Sequence, residues 1–335
     1  MDDASAAAPP IRVIAARALP PPSTVSPGLR RAIVEADGLP AGRMDRAPET
    51  EAQWRGFIAA SDALWAERFA GLRAAFPTDI VRAEMAGVTV RRITPPSPDP
   101  ARASRVLIHL HGGGYVLGAG EAGAAEGVLG AHHARTPVLS VDYRMPPEHP
   151  FPAAVDDAVA VWRAVIADHA PGSVGVFGTS AGGGLILAMV LRLKALGLPL
   201  PGALAVGTPW ADLAGEGDSY VVNRGVDGRL PQYDGVLAAM ARIYAGETPL
   251  DDPLISPVHG DLSGFPPTLL TTGTRDLLLS DTVRVHRRLR AAGVESRLEV
   301  HEAMSHADYC YAVDSPESAA VFGDIAAFFD RHLKA

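Results

Sequence analysis

Short, nearly unbroken apolar runs recur along the chain, at residues 106–110, 138–141, 174–177, 203–206, 268–272 and 297–300. Each is bounded by Gly, Pro or charged residues, and each has the length and β-branched content of a strand. Between them lie longer segments with apolar residues three or four positions apart. Residues 152–168 place Val155, Val159, Trp162 and Ile166 on one helical face. Helices are also predicted over 185–196, 282–292 and 316–333. Strands that are apolar on both faces and alternate with amphipathic helices imply an α/β fold, a mostly parallel sheet flanked by helices.

Ahead of this alternation the pattern changes. Residues 27–37 and about 49–76 read as helices, the second carrying Trp54, Phe57, Ile58, Leu64, Trp65 and Phe69 at helical spacings. These aromatics suit either core packing or the lid of an apolar pocket. Two strand-like runs over 80–93 meet at Ala86-Gly87, an antiparallel hairpin signal. Residues 1–26 are low in complexity, with Pro20-Pro21-Pro22, and are expected to be extended or mobile. Between the strands at 203–206 and 268–272 lies an insertion too long to be a bare loop, with a helical pattern over 230–244. Its natural place is above the C-terminal ends of the strands, where open α/β sheets bind ligands. The expected division is therefore an N-terminal segment with cap helices (1–77), a catalytic core (78–208 and 268–335), and an insertion contributing to the cap (209–267).

Composition narrows the function classes. The chain has 335 residues, 47% hydrophobic and 20% charged, and a formal net charge of −8. That is globular, and the acidic balance argues against nucleic acid or an anionic membrane as a partner. No segment is long and apolar enough to span a bilayer. Asp2, Asp3, Arg12 and Arg17 spoil the N-terminus as a signal peptide. The expectation is a cytoplasmic protein, with a separately cleaved signal left open and a homodimer allowed. Cys310 is the single cysteine, so no intrachain disulfide can form.

The chemistry centres on Gly178-Thr179-Ser180-Ala181-Gly182, between the strand at 174–177 and the helix at 185–196. The pattern G-x-S-x-G in that context is a nucleophile elbow. The turn is so tight that a Cβ at Gly178 or Gly182 would strike a neighbouring strand or helix, and Ser180 must take a strained backbone conformation. The following helix aims its positive end at the site where an oxyanion would form. A second motif, His111-Gly112-Gly113-Gly114-Tyr115, directly follows the strand at 106–110. Glycines there let backbone amides approach a substrate oxygen, as an acyl-transfer enzyme requires. A phosphate cradle normally adds a lysine, and none is present.

A serine needs a base, and the base an orienting acid, expected in the order Ser, acid, His at successive strand ends. Asp276 is the first acid past the strand at 268–272, and His306 lies a short loop beyond the strand at 297–300. His301 competes as base, but sits at the strand end itself. Asp281 competes as acid, but its place at a helix start suggests an N-cap. Asp308 is too near His306 in sequence to orient it readily. No cofactor and no metal are expected. His109 and His111 lack a nearby third ligand, and His132 and His133 are adjacent on a helix and point apart.

Taken together, these motifs resemble the hormone-sensitive-lipase-like, or bacterial family IV, esterases of the α/β-hydrolase superfamily. The resemblance rests on H-G-G-G at 111–114, the run Asp142-Tyr143-Arg144-Met145-Pro146-Pro147-Glu148-His149-Pro150-Phe151-Pro152-Ala153 and the elbow, and runs from about residue 80 to the C-terminus. It implies an oxyanion hole from the amides of Gly113, Gly114 and Ala181, and a triad of Ser180, Asp276 and His306. Thr179 stands where much of the family has an acid, and Leu277 follows Asp276 where proline is commoner; both are like the G-T-S-A-G branch. Asp142, Arg144 and Glu148 are expected to be buried charges that pair beside the glycine loop.

The function expected is a serine carboxylesterase acting on short-chain acyl esters. A lactone hydrolase would use the same triad on a related small molecule. The alternative from another class is a ligand-binding protein on a hydrolase scaffold, which would usually show a broken triad.

Overall fold

The computed structural model describes residues 12–39 and 42–334. The extended-leader expectation for residues 1–11 lies outside them. In chain order the elements are α1 (Pro27–Asp37), α2 (Glu51–Ala75), β1 (Asp79–Met85), β2 (Val88–Thr94), β3 (Val106–Leu110), α3 (Ala125–Ala134), β4 (Val138–Val141), α4 (Ala153–Asp168), β5 (Val174–Thr179) and α5 (Ala181–Ala195). They continue with β6 (Ala203–Gly207), α6 (Ser219–Val222), α7 (Val236–Ala245), β7 (Thr268–Gly273), α8 (Leu279–Ala291), β8 (Ser296–His301) and α9 (Pro316–His332).

The strands form one eight-stranded sheet in the order β1-β2-β4-β3-β5-β6-β7-β8. β2 pairs antiparallel with β1, through the hairpin expected at Ala86-Gly87, and with β4; the remaining pairs are parallel. β3, β5, β6 and β7 are buried along their whole length, which is why they read as unbroken apolar runs. Successive residues point to opposite faces. Ile108 and Val176 pack with α4, α5 and α8 through Val155, Trp162, Leu185 and Val285. Leu107 and Phe177 face the other way, onto Val128 of α3 and Phe322 and Phe329 of α9. The sheet is thus covered on both faces.

Helix ends depart from the sequence pattern in informative places. α5 begins at Ala181, ahead of the expected Leu185, so three consecutive glycines are helical. Tertiary fit overrides their poor propensity: a Cβ on Gly184 would lie 2.2 Å from the carbonyl oxygen of Trp210. α7 starts at Val236 and not near residue 230, because Gly235 (φ 88°) breaks the backbone and presses against Met44, whose oxygen would be 2.2 Å from a Cβ there. In α2 the aromatic stripe splits. Trp54, Phe69 and Leu72 are buried, Phe57, Ile58 and Trp65 pack at the margin, and Leu64 is exposed.

The segment between β6 and β7 carries α6 and α7 and lies against the N-terminal segment. The Val236 amide donates to Met44 O (2.9 Å), and Arg43 donates to the carbonyls of Gly228 (2.7 Å) and Arg229 (2.9 Å).

Candidate active site

β5 ends against β3, and this packing makes the elbow. A Cβ on Gly178 would sit 2.1 Å from the carbonyl oxygen of Leu110, and one on Gly182 would sit 2.0 Å from the same atom. Only glycine fits at either position. Between them Ser180 adopts φ 62°, ψ −124°, a region that costs on the order of 1–3 kcal/mol and persists only when the surroundings enforce it. They do so here by hydrogen bonds: the Ser180 amide donates to Gly207 O (2.9 Å), and its carbonyl accepts from Gly184 N (3.0 Å) and Trp210 N (2.9 Å). The side chain is left partly exposed at the N-terminus of α5.

The glycine loop lies beside this turn. A Cβ on Gly112 would stand 2.9 Å from Thr179 O and 3.4 Å from Ser180 Cβ. Gly113 and Gly114 both have positive φ (114° and 62°). Among the described residues, none of the amides of Gly113, Gly114 and Ala181 is paired with a protein acceptor. Tyr143 holds the loop from behind, donating from its hydroxyl to His111 O (2.7 Å) and stacking on the His111 ring at 4.1 Å. Burial pushes the His111 imidazole down to about 4, so it is neutral at pH 7; its Nδ1–H donates to Gly112 O (2.7 Å).

β7 and β8 deliver the acid and the histidine. His306 Nδ1 lies 3.1 Å from Asp276 Oδ1, and Asp276 is fully buried. The Asp276 carboxylate faces four donors. Oδ1 accepts from Leu278 N (2.9 Å) and from the imidazole; Oδ2 accepts from the hydroxyls of Thr272 (2.8 Å) and Thr208. Burial, the largest influence on Asp276, raises its pKa, but the His306 charge and hydrogen bond, with the Thr208 and Leu278 donors, hold it below the usual carboxylate value. For His306, burial lowers the pKa and is overcome by the charge and bond of Asp276, with Asp227 and Asp308 adding to it, so the net shift is upward. In the neutral ring Nδ1–H faces Asp276, which leaves Nε2 as the lone-pair nitrogen.

The competing residues go elsewhere. Asp308 accepts from Ser305 N (2.8 Å) and Arg229 Nε (2.9 Å). Asp281 is not the N-cap of α8; Leu278 occupies that position. Asp281 is buried and accepts from Ala211 N, Asp212 N and the Tyr220 hydroxyl, because α8 is packed against the segment after β6. His301 ends β8, and its Nε2 has no partner among the described residues.

With this geometry in view, the comparisons with known proteins are consistent. Residues 107–309 match the α/β-hydrolase fold family. An acetyl-hydrolase of Streptomyces hygroscopicus is 38% identical over 243 residues, 72% of this chain and 81% of that one. A crystal structure of an esterase superposes with a TM-score of 0.93 at 40% identity, covering 97% of this chain and 99% of the other. A second esterase structure, from the bacterial hormone-sensitive lipase family, gives 0.80 at 30% identity over 92% of this chain and 99% of its own. The chain belongs to the α/β-hydrolase family, as a carboxylesterase of the bacterial hormone-sensitive-lipase type.

In this esterase the charged run after β4 is built differently from the sequence expectation. Asp142, Arg144 and Glu148 do not pair with one another. Asp142 holds Arg91 (2.9 Å) and accepts from Gly120 N (3.0 Å); Arg144, half-exposed, forks onto Asp157 of α4 (2.7 Å); Glu148 meets Arg55 at the surface (3.1 Å).

Three features escaped the sequence reading. Thr208, with φ 31°, bridges the site: its hydroxyl donates to Asp276 Oδ2 and lies 3.1 Å from His306 Nδ1. Its signal is position alone, the first residue past the end of β6. Thr179 donates to Glu126 Oε1 (2.6 Å), a buried carboxylate whose other oxygen lies 3.2 Å from His109 Nε2. His109 therefore does have a carboxylate neighbour, supplied by α3 and not by nearby sequence. Finally, Asp212, Glu216 and His259 form the one ligand-type cluster of three among the described residues, but Arg284 already pairs with Asp212.

Proposed function

We propose that this carboxylesterase works through Ser180, His306 and Asp276, with the amides of Gly113, Gly114 and Ala181 as the oxyanion hole. The observation that carries the reading is the 3.1 Å contact of His306 Nδ1 with buried Asp276, on loops that Thr208 ties to the strand end beside the strained Ser180. Ser180 Oγ attacks the ester carbonyl carbon while His306 Nε2 takes its proton. The carbonyl oxygen, now negative, is met by the three amides; losing one such donor typically raises the barrier by roughly 3–4 kcal/mol. The imidazolium returns its proton to the departing alkoxide, leaving an acyl-enzyme. Water, activated by the same nitrogen, releases the acid. Ser180 alkylphosphonylation by a fluorophosphonate, read by intact mass and peptide mapping, tests the nucleophile; an unmodified Ser180 in active enzyme overturns it.

The preferred substrates are short-chain acyl esters. The described parts of 1–77 act with 209–267 as a cap over the described parts of the core 78–208 and 268–335, a division supported by the bonds of Arg43 and Met44 to the insertion. This cap stands close over the oxyanion loop. Met240 Sδ lies 2.6 Å from where a Cβ on Gly114 would be, with Trp210 at 3.7 Å; Trp65 stands 3.1 Å from the corresponding point on Gly118. Walls this close would bound a short acyl group and crowd a long one. A series of p-nitrophenyl esters from acetate to palmitate, run beside monocyclic lactones, tests this. A maximum at long chains contradicts the short-chain reading, and faster lactone opening reassigns the substrate without changing the triad.

A further inference from the structure

Asp227 is a buried carboxylate that takes no part in the proton transfers of the Ser180–His306–Asp276 reaction, and it sits in the insertion between β6 and β7. Among the described residues its four hydrogen-bond partners are all backbone amides. Oδ1 accepts from Arg229 N (2.7 Å) and Leu230 N (2.9 Å), closing a turn of its own segment. Oδ2 accepts from Leu277 N (2.8 Å) and His306 N (3.1 Å). One oxygen therefore joins the residue after the acid to the backbone of the base, across the 28 residues of chain between Leu277 and His306. Because every partner is an N–H, a proton on either oxygen would face a donor, and the geometry suits the carboxylate.

We propose that Asp227 is a positioning residue for ester hydrolysis: it holds the backbone of Leu277 and His306 in register and sets a second negative charge behind the imidazole. The inference rests on the triad reading above. Its physical basis is that a buried amide left without an acceptor is costly, so the Asp276 and His306 loops cannot separate without stranding donors. The charged groups around this point are Asp276 and His306 themselves, Asp308 with its partner Arg229, and Arg43. Burial, foremost, and the Asp276 charge push the Asp227 carboxyl up to about 7, against His306 and the backbone donors. Its charge acts on His306 in the same direction as that of Asp276, favouring the imidazolium that forms as Ser180 attacks.

The test compares wild type with Asp227→Asn and Asp227→Glu, with kcat normalised to the sites titrated by a fluorophosphonate. Asparagine keeps one acceptor oxygen and turns an NH₂ toward two amides. In Asp227→Asn, kcat is expected to fall about 10- to 100-fold with KM changed less than about threefold, the signature of misplaced reacting groups. The acid limb of kcat/KM should also move down, by less than about half a pH unit, because a carboxyl near 7 is only partly ionised across that limb and only this part of its charge is lost. Asp227→Glu restores the charge and should return the limb to the wild-type position while kcat stays low. A merely structural role would lower folded yield and melting temperature with normalised kcat and limb unmoved, and that result overturns the proposal. Hydrogen exchange on the wild-type enzyme needs no variant: peptides covering 276–279 and 303–309 should be protected, and exchange at free-loop rates overturns the clamp. Failure of the triad is distinguishable, since wild-type Ser180 would then resist the fluorophosphonate.

Discussion

Replacing Asp276 by asparagine separates two roles that are usually lost together. In many triads the amide turns its NH₂ toward the imidazole and forces the wrong tautomer, at a cost of about 10⁴ in kcat. Here the carboxylate has two distinct sides. Oδ2 faces the hydroxyls of Thr208 and Thr272, which can rotate to accept, and Oδ1 faces Leu278 N and His306 Nδ1. The two hydrogens of an asparagine amide match the two threonine oxygens, so the carbonyl remains toward His306 and Nε2 keeps its lone pair. What Asp276→Asn then removes is charge. An adjacent opposite charge typically raises a histidine pKa by about 1–3 units, or roughly 1.4–4 kcal/mol of imidazolium stabilisation, which predicts a loss of about 10- to 1,000-fold in kcat/KM. The sign for pH follows. His306 must be neutral to accept the Ser180 proton, and its wild-type value lies above 6.5, so activity rises through a limb centred above that pH. Without the Asp276 charge, burial dominates and the limb moves down. Stability runs the opposite way in the wild type: the stabilising contribution of His306 is fully present below pH 6.5 and is lost as pH rises through its folded value. The assay is the pH–rate profile of kcat/KM for p-nitrophenyl butyrate, with circular dichroism to check folding. An undiminished rate, or a limb that stays in place, refutes the argument; a loss beyond about 10⁴ shows that the amide has flipped.

Other consequences are more direct. Ser180→Ala should abolish turnover, by about 10⁵ or more, with an unchanged melting temperature, since the side chain is partly exposed and the strain is relieved only slightly; residual turnover near wild type would remove Ser180 from the mechanism. Gly182→Ala puts a Cβ 2.0 Å from Leu110 O, a backbone clash no rotamer relieves, and should cost more than about 4 kcal/mol, read by urea unfolding or as loss of soluble protein. Met240→Ala shortens the side chain standing over Gly114 and should raise the ratio of octanoate to butyrate turnover, at a stability cost of about 2–5 kcal/mol; an unchanged ratio would take Met240 out of the pocket wall.

The α/β alternation, the β1–β2 hairpin and the elbow were legible in the sequence because their causes are local. A strand buried on both faces must be apolar throughout, as β3, β5, β6 and β7 are, and a turn of the Gly178–Gly182 type tolerates only glycine at its ends. Strand-end position likewise singled out Asp276 and His306, and the structure brings them within 3.1 Å. What remained hidden depends on side chains meeting across long stretches of chain. Asp281 looked like a helix cap from its neighbours, yet its carboxylate is claimed by Ala211, Asp212 and Tyr220. The run Asp142 to Glu148 looked like one charged cluster, yet its members face Arg91, Asp157 and Arg55 on three different elements. Thr208, Glu126 and Asp227 carry no local signature, because a threonine or carboxylate reads alike in sequence whether solvated or buried. Only the closing of the sheet decided which of them would be dry, and a dry polar atom must find a partner. For Thr208 that partner is the Asp276–His306 pair, and for Asp227 the partners include the amides of Leu277 and His306, contacts that the folded chain makes and no motif announces.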